Sequence, residues 1–367
     1  MSPLLRPPSA RPPDVRAAAT YVVPLRWSAP GPIDDLAAHL GTVSEWLDDV
    51  VVVDDSPPEL YASHAAKLPA SVRHMTPDAC LWSPNGKVDG ILTGVTAARN
   101  ERIVIADDDV RWERDPLERA LGLLDEAELV RPQNHFRPLV WHAAWDTARS
   151  LLNRVITGDL QFPVGDFPGT FALRRSFLVG IGGYDGTALF ENLELMRKTA
   201  AQGGRVLTVL DLYVARLPPT FAHFRSQRVR QAYDDWSMPL RMTAFLALLP
   251  MLAGLLYRRR KRAAAAAIAA PAAIAEVGRR RAGGAEYFPV SASLLAPLWM
   301  LERGVCIWIA FWRGVRGTGV HYGRGRITRA ASSFTRLRAD GATLTLGAAF
   351  SHETDRLVGA VAERPRP

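Results

Sequence analysis

The stretch ERIVIADDDVRW, residues 101–112, sets the fold class, because an apolar strand-like run passes directly into three carboxylates. The run from Ile103 to Ala106 has the apolar, β-branched composition of a strand that is buried on both faces of a sheet. Asp107, Asp108 and Asp109 follow at the point where that strand would end. Three adjacent negative charges repel one another, so their position at the end of a core strand calls for a chemical explanation.

The chain around this stretch alternates apolar strand-like runs with helix-like segments. The predicted strands are YVVPL (21–25), DVVVVDDS (49–56) and ERIVIADDD (101–109), and the predicted helices are PIDDLAAHLGTVSEWL (32–47), PPELYASHAAKL (57–68), GKVDGILTGVTAA (86–98) and PLERALGLLDEA (116–127). Apolar strands that are separated by helices predict an α/β domain, a mostly parallel sheet covered by helices on both faces. We expect this domain to occupy residues 18–238, after a disordered, proline-rich tail at 1–17.

Composition and charge narrow the functional class. The chain has 367 residues, of which 48% are hydrophobic, and carries a formal net charge of +8. Its arginine clusters stand beside apolar runs instead of being interleaved with exposed aromatic residues, and this pattern disfavours nucleic acid as a partner. Cys80 and Cys306 lack the spacing of a metal or redox site and indicate a reducing, intracellular compartment.

Two acidic clusters follow predicted strands. Asp54 and Asp55 end one strand, and the Asp107 to Asp109 triplet ends another. Either cluster alone could consist of helix caps and turn formers. Ligands of parallel sheets bind outside the carboxyl ends of the strands, so two clusters at such ends favour a site. Hard carboxylate oxygens suit Mg²⁺ or Mn²⁺, which also bind substrate phosphates.

The motifs VVVVDDS, NGKVDGILTGVTAA, IADDDVRW, GGYDGTALFENLELMRK and SQRVRQAYDDW, in this order, resemble those of glycosyltransferase family 2, which has the GT-A fold. The resemblance covers about residues 20 to 240 and is closest to membrane-associated members similar to ceramide glucosyltransferase. It implies transfer of a sugar, with inversion, from a nucleotide-sugar donor to an acceptor. Within this resemblance, Asp107 and Asp109 match the two acids that hold a divalent cation, Mg²⁺ or Mn²⁺, on the donor diphosphate.

The same resemblance implies further donor contacts. Asp54 or Asp55 matches the position that contacts the base and ribose. Lys87 lies where related enzymes have a basic residue, and it could meet donor phosphate or only solvate the start of a helix. The Q-x-x-R pair falls on Gln227 and Arg230, although Gln231 replaces the tryptophan that follows in the family, and the neighbouring Arg228 is a further candidate because guanidinium matches phosphate oxygens. A solvated basic helix is the alternative for this segment.

The general base is the point at which the sequence departs from the family. Family members supply the aspartate of a Glu-Asp pair, whereas this chain has Glu191 followed by Asn192, and an amide cannot accept a proton. Glu191 is therefore our first candidate, followed by Glu194 and Asp185. Asp166, in the segment DFPGTFALRRS, is expected to line the acceptor cleft.

The C-terminal part carries three apolar segments, at 242–257, 263–277 and 288–301, with arginine clusters and tryptophans at their borders. Each is shorter than the ~20 residues that a spanning helix needs, so a hydrophobic helical subdomain and interfacial helices remain alternatives to spanning ones. We expect a membrane-associated helical region at 239–328 and a weakly ordered tail at 329–367. Nucleotide sugars are cytoplasmic, so the catalytic domain should face the cytoplasm at the plasma membrane and use a lipid or lipid-linked acceptor. A non-catalytic nucleotide-sugar-binding membrane protein is the alternative.

Overall fold

The computed structural model describes residues 16–157 and 169–339. The strands of its main sheet are β1 Ala17–Leu25, β2 Leu47–Asp54, β3 Val72–Met75, β4 Arg102–Ala106, β5 Val110–Arg111, β6 Leu129–Phe136, β7 Thr170–Arg174 and β8 Val206–Arg216. They lie in the order β3-β2-β1-β4-β7-β6-β8-β5. Six strands share one direction, and only β7 and β5 run against their neighbours. The predicted α/β class with a mostly parallel sheet is confirmed.

Helices cover both faces of the sheet, as the alternation of apolar runs predicts. They are α1 Ile33–Trp46, α2 Pro58–Lys67, α3 Gly86–Ala97, α4 Arg114–Leu123, α5 Trp141–Ile156, α6 Arg175–Gly180, α7 Glu191–Ala201 and α8 Phe221–Tyr233. Successive side chains of a strand point to opposite faces. Tyr21 and Val23 of β1 therefore pack in the core cluster that contains α1 and α4, while Val22 packs in the cluster that contains α3 and α7.

The C-terminal helices pack directly on the α/β domain. A 3₁₀ turn at Asp234–Ser237 leads into α9 Pro239–Tyr257 and α10 Lys261–Arg280, and a second turn at Arg281–Glu286 leads into α11 Val290–Val315. Ala275 of α10 and Trp299 of α11 share a buried cluster with Leu151 of α5. A Cβ at Gly278 would come within 1.9 Å of the Leu151 carbonyl oxygen, so glycine permits the close approach of α10 to α5.

Two of these helices are long and apolar enough to cross a membrane. They are α9, with 19 residues and a mean hydropathy of 1.7, and α11, with 26 residues and a mean hydropathy of 1.5. Most of α9 is exposed, and α11 also shows solvent a row of apolar side chains that includes Leu294, Leu298 and Trp312. The expectation of a C-terminal hydrophobic helical region is confirmed, and its membrane placement stays a prediction.

After α11 the chain returns to the α/β domain. This return segment, residues 317–333, contains the hairpin β9 Val320–Tyr322 and β10 Gly325–Ile327, and the helix α12 Phe334–Ala339 follows it. The N–H groups of Leu189 and Phe190 donate to the carbonyl oxygens of Arg329 and Ala330, both at 2.9 Å. The weakly ordered tail expected at 329–367 stays a prediction: the structure places a helix at Phe334–Ala339, and residues 340–367 lie outside the described residues.

Candidate functional site

The acidic triplet lies in the turn between β4 and β5, and its alternate members share one side. The Asp107 amide donates to the Gly169 carbonyl at 2.8 Å, and the Val110 amide donates to the Asp107 carbonyl at 3.0 Å. Asp108 accepts a bond from the Trp27 indole N–H at 2.5 Å. Asp107 and Asp109 instead share the guanidinium of Arg216 as a partner. The turn thus separates the middle carboxylate from the two that were predicted to hold a metal.

Two cations join the carboxylates into a line that we call the charge row: Glu191, Lys87, Asp107, Arg216 and Asp109. Lys87 Nζ lies 2.6 Å from Asp107 Oδ1 and 2.9 Å from Glu191 Oε1. Arg216 Nε lies 2.7 Å from Asp109 Oδ2, and its Nη2 lies 3.5 Å from Asp107 Oδ2. The row brings together four residues that the sequence analysis selected, and it adds Arg216.

The charge row is partly buried, and its charges shift one another's pKa values. Burial raises the pKa of Asp109 to about 6, and the neighbouring charges of Asp107 and Asp108 add to this effect, whereas Arg216 opposes it. Burial alone would lower the pKa of Lys87, but Asp107 and Glu191 hold this pKa well above its ordinary value. Lys87 therefore stays charged at neutral pH. The row carries three carboxylates and two cations, and so it can accept one further cation.

The residues of the row fit a divalent cation that takes part of its coordination from a substrate. Asp109 Oδ1 is buried and has no hydrogen-bond partner among residues 16–157 and 169–339, so this atom is a candidate ligand for a cation. Within residues 16–157 and 169–339, no three His, Cys, Asp or Glu side chains are grouped as a metal site. Mg²⁺ commonly binds one or two carboxylates together with substrate phosphates and water. Asp107 and Asp109 match that donor set.

Gly169 gives Asp107 the space it occupies beside β7. A Cβ at position 169 would lie 2.2 Å from Asp107 Oδ2, which is closer than any side chain allows. Gly169 also donates its N–H to Asn134 Oδ1 at 3.0 Å. A glycine is therefore required here so that the backbone can approach the carboxylate.

The three candidate bases differ in their surroundings. Only Glu191 lies in the charge row. Glu194 is fully buried, and its Oε2 accepts a hydrogen bond from the Ser332 N–H at 2.7 Å. Asp185 accepts from the Thr187 amide at 2.7 Å and forms an ion pair with Arg329, as a turn-forming aspartate does. Asp166, the expected acceptor-cleft residue, lies outside the described residues.

The first acidic cluster separates into a buried and a more accessible carboxylate. Asp54 accepts bonds from the Ser56 amide at 2.9 Å, from His64 at 2.7 Å and from His74 at 3.1 Å, and its side chain is enclosed. Asp55 is the accessible member. It pairs with Arg26 and with Arg324, whose Nη2 lies 2.7 Å from Asp55 Oδ1. Of the two candidates for contact with base and ribose, Asp55 is therefore the more accessible one, and its role stays a prediction.

The α8 candidates point in different directions. Arg228 is enclosed between helices, where its Nη2 lies 2.8 Å from Asp146 of α5 and its Nε lies 3.6 Å from Glu302 of α11. Gln227 bonds to His223, one turn earlier on the same helix. Arg230 alone points towards the charge row, with its guanidinium 4.8 Å from the centre of the Tyr322 ring. All three stay donor-binding candidates, although the ion pairs of Arg228 favour a structural role for that residue.

The sequence analysis missed the residues that the return segment brings to the site. Burial and the Glu191 carboxylate raise the pKa of the Tyr322 phenol, and the charges of Arg230 and Lys87 oppose part of this rise. Arg324 bridges Asp55 and Asp89, with Nη1 2.6 Å from Asp89 Oδ2. One feature of the sequence could have identified Arg216: this residue ends a core strand, just as the acidic clusters do. It offered none for Tyr322 and Arg324.

Comparisons with known proteins found likeness only among solved structures. No family model and no curated protein matches the chain. The mannosyltransferase PcManGT from Pyrobaculum calidifontis, solved with GDP-Man and Mn²⁺, is 20% identical with a TM-score of 0.43, covering 81% of this chain and 89% of that one. Glucosyl-3-phosphoglycerate synthase from Mycobacterium tuberculosis, solved with Mg²⁺ and UDP, is 17% identical with a TM-score of 0.39, covering 56% and 73%. Because these values are low, we base the function on the contacts of this chain's own residues.

Proposed function

We propose that this protein is a metal-dependent inverting glycosyltransferase of GT-A type that moves a hexose from a nucleotide-sugar donor to a lipid or lipid-linked acceptor. The observation that carries the proposal is the charge row at the carboxyl ends of β4 and β8. The two outer acids of the triplet, Asp107 and Asp109, lie beside basic side chains that suit a diphosphate. A structural ion-pair network would not require a buried carboxylate oxygen, Asp109 Oδ1, that has no partner in the part of the chain that the structure describes.

In this proposal the donor lies across the sheet edge with its diphosphate at the charge row. Asp107 and Asp109 hold the divalent cation, which when bound neutralises the diphosphate as it leaves. Arg230 and Lys87 supply further positive charge near the same place. Asp55, at the end of β2, receives the base and ribose. Each of these residues stands at or next to the carboxyl end of a strand or on a helix that faces it.

Glu191 is the carboxylate that we propose as general base for a hydroxyl acceptor. It is the one candidate base within the charge row, and its position at the start of α7 is fixed by the backbone pairing of residues 189 and 190 with the return segment. Its ion pair with Lys87 also holds the lysine against Asp107. Glu191 can thus act on a proton of the acceptor or position Lys87 at the donor.

We further propose that α9 and α11 attach the protein to the cytoplasmic face of the plasma membrane. Exposed apolar side chains of α9 include Leu240, Met251 and Leu256, and Tyr257 ends the helix beside the basic turn at 258–260. Aromatic and basic residues at the ends of apolar helices are typical of the membrane interface. An enzyme attached in this way reaches lipid acceptors directly.

A screen of nucleotide sugars tests the proposed function. Purified full-length protein in non-ionic detergent is incubated with GDP- and UDP-hexoses and either Mn²⁺, Mg²⁺ or EDTA, and release of nucleoside diphosphate is measured. We expect turnover of at least one donor that requires the metal. Metal-dependent binding of a donor without any turnover would favour the non-catalytic sugar-nucleotide-binding protein, and no binding of any donor would reject both functions.

A further inference from the structure

Helix α11 carries two charged residues at its centre, and both are held by the α/β domain. Glu302 Oε2 accepts a hydrogen bond from the Trp145 indole N–H of α5 at 2.7 Å. The other carboxylate oxygen of Glu302 lies 3.6 Å from Arg228 Nε of α8. Arg303 is buried, and its Nη1 lies 3.6 Å from Asp235 in the 3₁₀ turn before α9. The middle of α11 therefore lies on the surface of the α/β domain.

Both ends of α11 contact the same domain. Near its start, Ala296 shares a buried cluster with Leu151 of α5. Near its end, Ala310 shares another cluster with Tyr233 of α8, and its carbonyl oxygen accepts a bond from the Trp236 indole N–H at 3.2 Å. A helix of 26 residues is about 39 Å long, and here its start, centre and end all pack on one protein surface. A spanning helix would have to leave that surface, so α11 runs along the domain and not across a bilayer.

The side of α11 that faces away from the domain is apolar. Every exposed position between Ala292 and Trp312 carries an apolar side chain: Leu294, Leu298, Val305, Trp308, Ile309 and Trp312. Ser291 and Arg313 limit this surface at its two ends. A helix with such a side is suited to lie in the plane of the membrane interface, with its apolar residues among the upper parts of the acyl chains.

Helix α9 is too short beyond its contact with α11 to reach the far side of a bilayer. The ring of Phe245 in α9 lies 6.0 Å from that of Trp299. A Cβ at Gly304 would come within 3.1 Å of Leu249, so the two helices touch closely at this point. Residues 250–257 continue beyond the contact for about 12 Å. The hydrocarbon core of a bilayer is about 30 Å thick, so α9 also stays within one leaflet.

Five consecutive cations follow α9. This basic stretch, Arg258 to Arg262 with Lys261 as its fourth member, is exposed throughout. No acidic residue occurs between Pro239 and Ala275. In the part of the chain that the structure describes, the side chains of the basic stretch form neither an ion pair nor a hydrogen bond. Charges at the bilayer centre are costly, so the stretch is confined to the level of the lipid headgroups.

We propose that α9 and α11 lie in the plane of one leaflet, without crossing the membrane, and that the basic stretch binds the headgroup phosphates of anionic phospholipids. The inference rests on the proposed membrane attachment and specifies its orientation and its lipid partner. Basic residues beside exposed apolar ones match the phosphate and acyl layers of such a lipid surface. A second copy of this chain would bring a second basic stretch, and like charges would oppose that pairing.

The proposed orientation holds the α/β domain directly on the headgroups. Helices α5 and α8 lie immediately behind α11, and α8 carries Arg230, the donor-binding candidate that points towards the charge row. A spanning anchor would instead leave the distance between domain and bilayer open. The candidate site is thus separated from the lipid surface by two layers of helices.

Flotation with lipid vesicles tests the lipid partner. Full-length protein is diluted out of detergent into vesicles of phosphatidylcholine alone or of equal parts phosphatidylcholine and phosphatidylglycerol. We expect at least about tenfold tighter binding to the anionic vesicles, and this preference should fade in high salt while binding through the apolar sides persists. Equal affinity for the two kinds of vesicle at low salt would overturn the anionic partner.

Paired substitutions assign the lipid preference to the basic stretch. Arg258→Gln with Arg260→Gln should weaken binding to anionic vesicles about tenfold and leave binding to phosphatidylcholine unchanged. Arg16→Gln with Arg99→Gln removes the same charge at exposed positions near the amino ends of β1 and β4 and is the matched control. An equal loss in the control pair, or no loss in the first pair, would reject the assignment. Thermal denaturation confirms that both variants are folded.

Cysteine labelling tests the orientation. In a chain with Cys80→Ser and Cys306→Ala, a single thiol is introduced by Lys261→Cys in the basic stretch or by Ala62→Cys on the exposed side of α2. Sealed membrane vesicles are treated with a membrane-impermeant maleimide. We expect both positions to be labelled from the same side of the membrane. Labelling from opposite sides would show that α9 crosses the bilayer, which would overturn the orientation and keep the attachment.

Donor turnover in detergent separates this proposal from the proposed function, because it requires no bilayer. Turnover by a protein that binds no vesicles would keep the transferase and reject the membrane surface. Vesicle binding through the basic stretch without turnover of any donor would keep the surface and reject the transferase. A detergent-free dimer that binds no vesicles, detected by sedimentation, would assign the apolar sides to a second copy and overturn the proposal.

Discussion

At the scale of single residues, the alternation of side chains in the turn after β4 gives each aspartate a separate partner. Trp27 donates a hydrogen bond to Asp108, whereas Lys87 forms an ion pair with Asp107 and Arg216 forms one with Asp109. The middle carboxylate is thus tied to the loop after β1, and the outer two remain for a cation. This division makes the metal proposal testable with changes at neighbouring positions.

Replacing either outer carboxylate should abolish metal-dependent donor binding. In Asp107→Ala and Asp109→Ala, one of the two protein oxygens on the cation is lost, so we expect the donor affinity in Mn²⁺ to fall to the level seen in EDTA. Asp108→Asn retains a hydrogen-bond acceptor for Trp27 and is the control, with near wild-type affinity. Metal-dependent binding that persists in Asp107→Ala would contradict the assignment. Donor binding followed by fluorescence titration gives the measurement.

Glu191 is our candidate for the general base, and a glutamine in its place cannot accept a proton. In Glu191→Gln we expect donor affinity near the wild-type value but transfer slower by about 10²-fold or more, since general-base catalysis typically contributes 10²- to 10⁴-fold. Near wild-type transfer by this variant would reject the assignment. Steady-state rates at saturating donor make the comparison.

A site residue could be predicted from the sequence when it stands close to the end of a strand. Asp107 and Asp109 could be selected because they follow a core strand directly, and the rule that ligands bind at carboxyl ends applies to them. Lys87 and Glu191 are 104 positions apart in the sequence, and no local sequence pattern predicts a contact between them. Tyr322 and Arg324 lie in a sequence that resembles a basic membrane border, so their contacts appear only once the chain has folded.

At the scale of elements, the return segment connects α11 to the start of α7. Its backbone pairs with residues 189 and 190, the Tyr233 hydroxyl donates to the Thr328 carbonyl at 2.7 Å, and Ser332 donates to buried Glu194. These contacts hold Tyr322 and Arg324 near the donor site. Helix α11, which we propose to attach to the membrane, is thereby coupled to the helix that carries Glu191.

Removing the Glu194 anchor should destabilise the return segment. Glu194→Ala leaves the buried Ser332 N–H without its acceptor, which costs about 1–3 kcal/mol in the free energy of unfolding. Glu194→Gln keeps an acceptor oxygen and should cost less. Thermal denaturation in detergent measures the difference. If Glu194 were instead the base, the Gln variant would fold normally and lose transfer by about 10²-fold, which would overturn the structural role.

Arg228 should matter for stability and not for donor binding. It joins α8 to Asp146 of α5 and Glu302 of α11, and the positive charges of Arg149 and Arg228 hold the pKa of buried Asp146 far below its ordinary value. In Arg228→Met, buried Asp146 loses its 2.8 Å partner while Arg149 remains 3.5 Å away, so we expect a lower unfolding temperature. Donor affinity should stay within about twofold of wild type. A large loss of donor affinity at unchanged stability would return Arg228 to the donor site.

At the scale of the whole molecule, the C-terminal helices form part of the core of the protein. Helices α10 and α11 bury Leu151 of α5 together with Trp299, and the return segment then re-enters the site. The apolar composition of these helices could be recognised in the sequence. Their attachment to α5 and α8 could not, because it depends on small residues such as Gly278 at one contact. A chain truncated before α9 would expose these two clusters, so its loss from the membrane fraction would not by itself report on attachment.

Charged substitutions on α9 test membrane attachment without removing the core. Met251 and Leu256 are 49% and 58% exposed, so Met251→Glu with Leu256→Glu places two charges on a surface that makes few internal contacts. We expect the wild-type protein to stay in the membrane fraction after a high-salt wash, because burial of apolar side chains in lipid is insensitive to salt. The double variant should be released to a large extent, since each charge in the hydrocarbon region costs about 2.5–3.5 kcal/mol.

Ala62→Glu with Ala65→Glu, on the exposed side of α2, adds the same charge far from α9 and should not release the protein. Release of the wild-type protein by salt alone would show that its arginines, and not its apolar helices, hold it at the membrane.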